Sequence, residues 1–342
     1  MKVTIKDLAA EFGVDKATAS RALRGKPGVS SELRDRIVAG AKTLGFFPNA
    51  QARSLATGKT ETLALVFCDE TSWFFENPFY SGVLAGIASE SNARGFTLAF
   101  HSLASAKFRP GDSLPKEIRG HRADGFLFVG DQNDALITAV SEARYPVVLV
   151  DHSVPGADLP AVTVANTSGA RSAVEYLISL GHRRIGFVSG WLKSPSYRER
   201  LAGYKAALQA HRCDRDPSLV RTHGKDAGYE GMRELLALPS PPTAVFAAND
   251  VLAVTAVAAI HHKGLRIPQD VSIMGFDDSR CATDTWPPLT TMRVDKRLMG
   301  QLAVRKLIGL IQRKDAGPRQ TPLDVNLVIR DSTGPNLTRP NA

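Results

Sequence analysis

From Thr62 to about residue 330, short apolar runs alternate with stretches of helical period, and the alternation starts twice. The runs at 63–67, 97–100, 125–129 and 147–150 are too short for buried helices. They are rich in Val, Leu and Phe, as expected of strands covered on both faces. Between them, residues 79–94 (closed by Gly95) and 135–143 carry helical spacing. The pattern restarts with strands at 162–164, 185–188, 244–247 and 271–276 and helices at 168–180, 198–210 and 250–262. Parallel neighbours need a crossover connection, so strand–helix–strand repetition points to parallel sheets with helices on their faces. Two such arrays predict two doubly wound α/β subdomains, which bind ligands beyond the carboxyl ends of their strands. Residues 104–116 have loop composition instead.

The first sixty residues follow a different rule. Thr4-Ile5-Lys6-Asp7 fits a capping box, and Ile5, Leu8, Ala9 and Phe12 form one apolar stripe. Gly13-Val14 breaks this helix, and Asp15 is placed to cap a second over 16–24, with Ala19, Ala22 and Leu23 inward. Two short helices joined by a glycine turn have the spacing of a helix-turn-helix. A third helix over 31–44, packing Leu33, Ile37 and Leu44, ends at Gly45. The outer face of the second helix carries Lys16, Ala17, Ser20, Arg21 and Arg24. Small residues there admit close approach to a major groove, and an arginine can fork onto guanine O6 and N7. An ordinary solvated helix face has the same composition.

Charge is divided in the same place. The chain of 342 residues carries a net +9, and its first sixty residues hold eleven Lys/Arg against five acids, leaving only +3 for the rest. A small basic head on a near-neutral body is the pattern of a nucleic-acid module joined to another function.

The stretch TIKDLAAEFGVDKATASRALRG from Thr4, followed by PNAQARSLATGKT, resembles the head and hinge of the LacI/GalR (lactose-repressor/galactose-repressor) family of bacterial transcription regulators. Downstream, ENPFYSGVLAGI, LGHRRIGFVSG, RERLAGYKAAL, AVFAANDVLA, VSIMGFDD and PPLTTMRVD stand in that family's order. The resemblance implies an all-α helix-turn-helix head (1–48) and a hinge helix and linker (49–61). A periplasmic-binding-protein-like (type I) core of two doubly wound parallel-sheet subdomains follows (62–163 plus 292–322, and 164–291 plus 323–335), then a tail (336–342). After Asp295 the chain is expected to return to the first subdomain through a helix over 295–312, with a last strand at about 323–330. The resemblance also assigns Lys16, Ala17 and Arg21 to base reading, and Thr4, Thr18 and Ser20 to the DNA-contacting head. Asn49 would cap the hinge helix, Arg53 and Ser54 lie within it, and Leu55 would be the minor-groove wedge. Such a wedge unstacks a base step at a cost of a few kcal/mol, offset by contacts the bend permits.

The resemblance further implies a repressor that binds palindromic double-stranded operator DNA as a homodimer and answers to a small-molecule effector, a sugar or sugar derivative, in the cleft between subdomains. Asp69, Asp151, Asn249-Asp250 and Asp277-Asp278 follow strand ends, and Arg198 opens a helix beside them. Of these, Asp151, Arg198, Asn249 and Asp277 fall where sugar-responsive relatives touch effector. Carboxylate, amide and guanidinium groups suit vicinal hydroxyls. Phe79, Tyr80, Trp191 and Trp286 are candidates for apolar faces against a sugar ring. Asp250 reads as a helix N-cap, Asp278 as a loop-structuring residue, and His182 as a turn residue.

Other classes fit less well. Cys68, Cys213 and Cys281 are scattered without metal-ligand spacing, so no metal is expected. No phosphate-binding glycine loop, cofactor motif or catalytic constellation is evident, which argues against an enzyme. The N-terminus lacks a signal-peptide pattern and no apolar run reaches ~20 residues, so a cytoplasmic protein without membrane contact is expected, not a solute-binding transport component.

Overall fold

The computed structural model describes residues 3–46, 58–68, 76–103, 107–120, 122–222 and 226–337. It divides into two compact units, Met1–Thr60 and Glu61–Ala342.

In the first unit, helices Ile5–Glu11, Lys16–Leu23 and Ser31–Thr43 surround Leu8, Ala22, Ile37 and Ala41. Each begins on a side-chain cap. Thr4 and Asp7 complete a capping box, Asp15 accepts from Thr18, and Ser30 accepts from Leu33. Caps of this kind contribute about 1 kcal/mol each, which matters for helices of 7 and 8 residues. The Phe12 ring lies where a side chain at Gly40 would begin, so the first and third helices meet in close contact. Leu44 departs from expectation: it is the C-cap of the third helix, is exposed, and stays out of the head's core.

The second unit holds three sheets. The first is six-stranded in the order β11-β5-β4-β3-β1-β2, all parallel: β1 is Thr62–Cys68, β2 Thr97–Leu103, β3 Gly125–Val129, β4 Val147–Val150, β5 Ala161–Val164 and β11 Gln320–Leu323. The second is four-stranded and parallel in the order β7-β6-β8-β9: β6 is Ile185–Ser189, β7 Val220–Thr222, β8 Ala244–Ala247 and β9 Ser272–Met274. Strands β3, β4, β6 and β8 are buried along their whole length, as strands covered on both faces must be. A separate antiparallel ribbon joins β10 (Thr291–Val294) to β12 (Val325–Val328). The strand expected at 323–330 is β12, limited to Val325–Val328, and β11 before it is an additional strand of the first sheet, separated from it by Asp324.

The chain leaves the first sheet after β5 for the second, returns to it from the ribbon after β10, and leaves it again for the ribbon after β11. Helix Lys296–Ile311 returns to the first sheet as expected and packs on helix Pro78–Ala93 and on β3 and β4. That helix pair is drawn together by glycines and clamped by charge. Buried Glu90 accepts from Arg305 at 2.9 and 3.0 Å and from Arg94 at 3.0 Å. A Cβ at Gly86 would lie 2.1 Å from the Arg297 carbonyl oxygen, and one at Gly300 would lie 2.2 Å from that of Val83. Gly86→Ala and Gly300→Ala are each expected to destabilise the second unit by about 1–3 kcal/mol, through forced separation of backbone rather than lost contacts. Urea unfolding of the full chain checks this, and unchanged midpoints would refute the close-approach argument.

Candidate functional site

The outer face of helix Lys16–Leu23 is the candidate DNA-reading surface. Lys16 and Ala17 are exposed, and Thr18, Ser20 and Arg21 half-buried. The Thr18 hydroxyl donates to Asp15 at 2.7 Å and accepts from the Arg21 guanidinium at 3.0 Å, so the cap also steers the arginine. Arg24 folds back on Ser20, donating to its hydroxyl at 2.7 Å and its carbonyl at 3.1 Å. The Thr4 hydroxyl is engaged in the capping box with Asp7. The Thr4 amide and then its hydroxyl, each donating to Asp7 at 2.8 Å, hold the Asp7 carboxyl below its usual range. Asn49, Arg53, Ser54 and Leu55 lie outside the described residues, as does Asp69.

In the second unit, the carboxyl ends of the strands converge on a cavity of about 40 Å³. Its lining combines Asn77, Phe79 and Tyr80 from the start of helix Pro78–Ala93, Asp131 and Asp151 from the ends of β3 and β4, and Ser194, Ser196, Tyr197 and Arg200 from the start of helix Pro195–Ala210. Asn249 and Asp277, after β8 and β9, complete it. Of the residues expected there, Phe79, Tyr80, Asp151, Asn249 and Asp277 are brought together. Trp191 and Trp286 are not among its lining residues and stand 63% and 83% exposed.

Arg198 is not brought in either. It is exposed and donates to the carbonyls of Leu192 and Lys193, while Arg200 occupies the cavity wall. The reason is helical phase. Ser196, Arg200, Gly203, Tyr204 and Ala207 form the buried stripe of helix Pro195–Ala210, and Arg198 lies off it. That periodicity was present in the sequence and identifies Arg200. Asp131 was also detectable, because it follows the last strand residues of β3 as Asp151 follows β4.

Arg200 organises the second-lobe side of the cavity. Its Nε donates to Asn166 Oδ1 at 2.8 Å and its Nη1 to the Ala248 carbonyl at 2.6 Å, while Nη2 lies 3.1 Å from Asp277 Oδ1. The Phe276 ring covers one guanidinium face at 3.8 Å. Burial pushes the Asp277 carboxyl up, against the opposing pull of Arg200 and Lys296. Behind it, Asp250 accepts from the Ser279 amide and the Thr291 hydroxyl, both at 2.6 Å. The helix N-cap here is Asn249, accepting from the Leu252 amide at 2.8 Å, and not Asp250, which is the first helical residue and faces inward. Burial, then the charge of Asp277, pushes Asp250 up to about 8. Asp278 structures its loop as expected, paired with Arg293 and Arg330 at 2.6 Å. Lys296, at the start of helix Lys296–Ile311, donates to the carbonyls of Asp277, Asp278 and Val294.

Across the cavity, Asp151 Oδ2 accepts from the Tyr80 hydroxyl and Oδ1 from the Ser196 hydroxyl, each at 3.0 Å. Asn249 Nδ2 donates to the Tyr197 hydroxyl at 3.0 Å. Asp151, Asp277 and Asp278 all hold positive φ, at 55°, 110° and 50°, a strain that concentrates at functional sites. His182 is a pin and not a ligand group: its ring nitrogens lie 2.9 Å from the Thr243 hydroxyl and 3.1 Å from the Gly334 carbonyl. A larger open groove of about 580 Å³ uses Glu199 and Ala206 of helix Pro195–Ala210 with Arg171 and Gln320, and lacks this constellation. Among the described residues no cluster of three or more His, Cys, Asp or Glu is arranged to hold a metal, and no helix is long and apolar enough to cross a membrane.

Burial pushes Asp151 up to about 7, against Arg200, Tyr80 and Ser196. Between pH 4 and 7 the native carboxyl therefore keeps a proton that the unfolded chain has lost, and its contribution to stability fades as pH rises through that window. Asp151→Asn is expected to flatten the loss of stability from pH 5 to pH 8 measured by urea unfolding. Equal slopes in variant and parent would contradict the assignment.

Residues 4–49 match the family described as bacterial regulatory proteins, lacI family, and residues 174–333 match the periplasmic binding protein-like domain. The chain is 34% identical over 335 residues to the HTH-type transcriptional regulator CelR of Thermobifida fusca, covering 96% of this chain and 98% of that protein. It is 31% identical to the HTH-type transcriptional repressor CytR of Escherichia coli K12, covering 96% of each. Among solved structures it resembles a transcriptional regulator CelR–cellobiose complex, with TM-score 0.72, 31% identity and coverage of 97% of this chain and 100% of that one. It also resembles the lac repressor dimer bound to operator and the anti-inducer ONPF, with TM-score 0.83, 27% identity and coverage of 98% and 100%. A helix-turn-helix head followed by a periplasmic-binding-protein-like core, shared with these relatives along nearly the whole chain, places the protein in the LacI family of bacterial transcriptional regulators.

Proposed function

We propose that this chain is a repressor that binds a palindromic operator as a homodimer and is switched by a sugar or sugar derivative in the cleft around Arg200. The observation that carries this reading is the presence, in one chain, of a capped helix presenting Lys16, Ala17 and Arg21 and a polar cleft closed by Asp151, Arg200 and Asp277. Two heads related by a two-fold axis read two half-sites, which is why the operator is palindromic. Asn49, Arg53, Ser54 and Leu55 form the hinge in this reading, with Leu55 as its wedge. The CelR–cellobiose complex and the operator-bound lac repressor dimer support it by likeness. The protein works in the cytoplasm, where its DNA lies, and the cleft binds without catalysis.

A cavity of about 40 Å³ is far below the ~300 Å³ at which ligand pockets begin. A sugar therefore enters only if the two lobes part, which ties occupancy to the angle between them. Effector and operator affinities are then reciprocally coupled, by about 5- to 150-fold. A thermal-shift screen of sugars, sugar acids, polyols and purines, followed by operator binding with each hit, tests the switch. A stabilising ligand that leaves operator affinity unchanged defeats it.

Arg21→Ala is expected to weaken specific operator binding by about 1–3 kcal/mol, without moving the melting transition of the second unit. Leu55→Ala is expected to reduce specific binding as well. Fluorescence anisotropy on a selected operator measures both, and parental affinity in either variant rejects the role assigned to that residue. Affinity should fall by ~0.9 log units per log unit of salt for each phosphate neutralised.

A further inference from the structure

The cleft contains three carboxylates, Asp131, Asp151 and Asp277, and one cation, Arg200. The charge of Arg200 is matched by Asp277 at 3.1 Å, and its remaining described bonds run to Asn166 and Ala248. Among the described residues, neither Asp131 nor Asp151 has an ion pair. Burial of Asp131 is opposed by His152, whose ring lies 2.8 Å from Asp134, by a hydrogen bond from Ser194, and by Arg198 and Lys193, which are exposed to solvent and screened by it. The ends of β3 and β4 therefore bring two carboxyl groups to the cavity wall with no ion pair to either among the described residues.

Its hydrogen-bonding capacity is equally one-sided. Asp151 receives the Tyr80 and Ser196 hydroxyls, one on each oxygen. Once both are ionised, above the raised range of Asp151, the two carboxylates offer about eight lone-pair sites and no donor. The backbone is shaped to hold this arrangement. Gly130, at φ 72°, precedes Asp131, and a Cβ there would lie 2.9 Å from the Tyr80 hydroxyl that reaches Asp151. Burial raises both carboxyls from their usual range, so the pair is held at a cost that a donating ligand relieves.

We propose that Asp131 and Asp151 form a paired acceptor that restricts the effector to hydroxyl- or amine-bearing molecules without an acid group, and that Asp131 sets this restriction. The proposal rests on the reading of the cleft as the effector site. Ligand hydroxyl or ammonium hydrogens fill the empty acceptor positions. A carboxylate or phosphate brings further acceptors and a like charge into a poorly solvated cavity, where repulsion is strong.

The test uses the full chain and matched sets built on one sugar skeleton: glucose, glucosamine, glucuronate and glucose 6-phosphate, and cellobiose with cellobionate. Calorimetric titration at about pH 8, above the raised range of Asp151, is expected to show any acid member binding at least about tenfold more weakly than its neutral or amine counterpart. Asp131→Asn, and independently Asp131→Ser, is expected to shrink that gap by about tenfold, each variant first shown to melt cooperatively. An acid member that binds the parent as tightly as its neutral counterpart overturns the proposal, as does a gap unchanged in both variants. If such an acid also releases the operator, the effector reading stands and only the charge restriction falls. If no member of any set binds, the sugar-effector reading fails and this proposal falls with it.

Discussion

The second unit depends on one buried guanidinium. Arg200 links helix Pro195–Ala210 to Asn166 at the first crossover, to Ala248 at the end of β8 and to Asp277 beyond β9. Removing one member of a buried ion pair costs about 3–5 kcal/mol, because the other charge is left without compensation. Here the partner is a carboxylate already raised by burial, on backbone at φ 110°. The pair therefore positions the cleft more than it stabilises the fold. It holds three strand ends in a register where Asp277 and Asn249 face Tyr80 and Asp151.

From that centre a chain of contacts runs to the other lobe. Asp277 and Asp278 give their carbonyls to Lys296, and Lys296 begins the helix that packs on Pro78–Ala93 through Gly86 and Gly300. The latter helix begins at the cavity with Phe79 and Tyr80. Backbone in contact at a glycine seam cannot slide without parting, so movement at the cleft reaches both helices together. The passages of the chain into and out of the first sheet run beside a cavity of about 40 Å³, so both sheets bear on its walls.

The sequence was most legible where pattern and burial coincide. Fully buried strands β3, β4, β6 and β8 read directly as apolar runs, and the caps Thr4 and Asp15 stand beside their helices. Strand β7 and helix Ala227–Leu236 went unread. A three-residue, partly exposed edge strand carries no run long enough to register, and short helices are defined by their packing. The break between β11 and β12 was hidden for a similar reason: both are partly exposed, and their sheet membership depends on partners far away in the chain.

The sequence by itself determined the two α/β arrays, the basic head, the helix caps and the strand-end acids, because each follows from spacing within a few residues. Only the tertiary structure decided which polar groups meet. It turned Arg198 out and Arg200 in, because one helical face packs on the core. Asp250 moved from cap to buried acceptor, and Trp191 and Trp286 were left in solvent. The structure also brought Asp131 into the cavity wall with Asp151 and the two hydroxyls that donate to it. Those outcomes rest on contacts between residues far apart in the chain, such as Tyr80 with Asp151, 71 positions away, and local spacing cannot encode them.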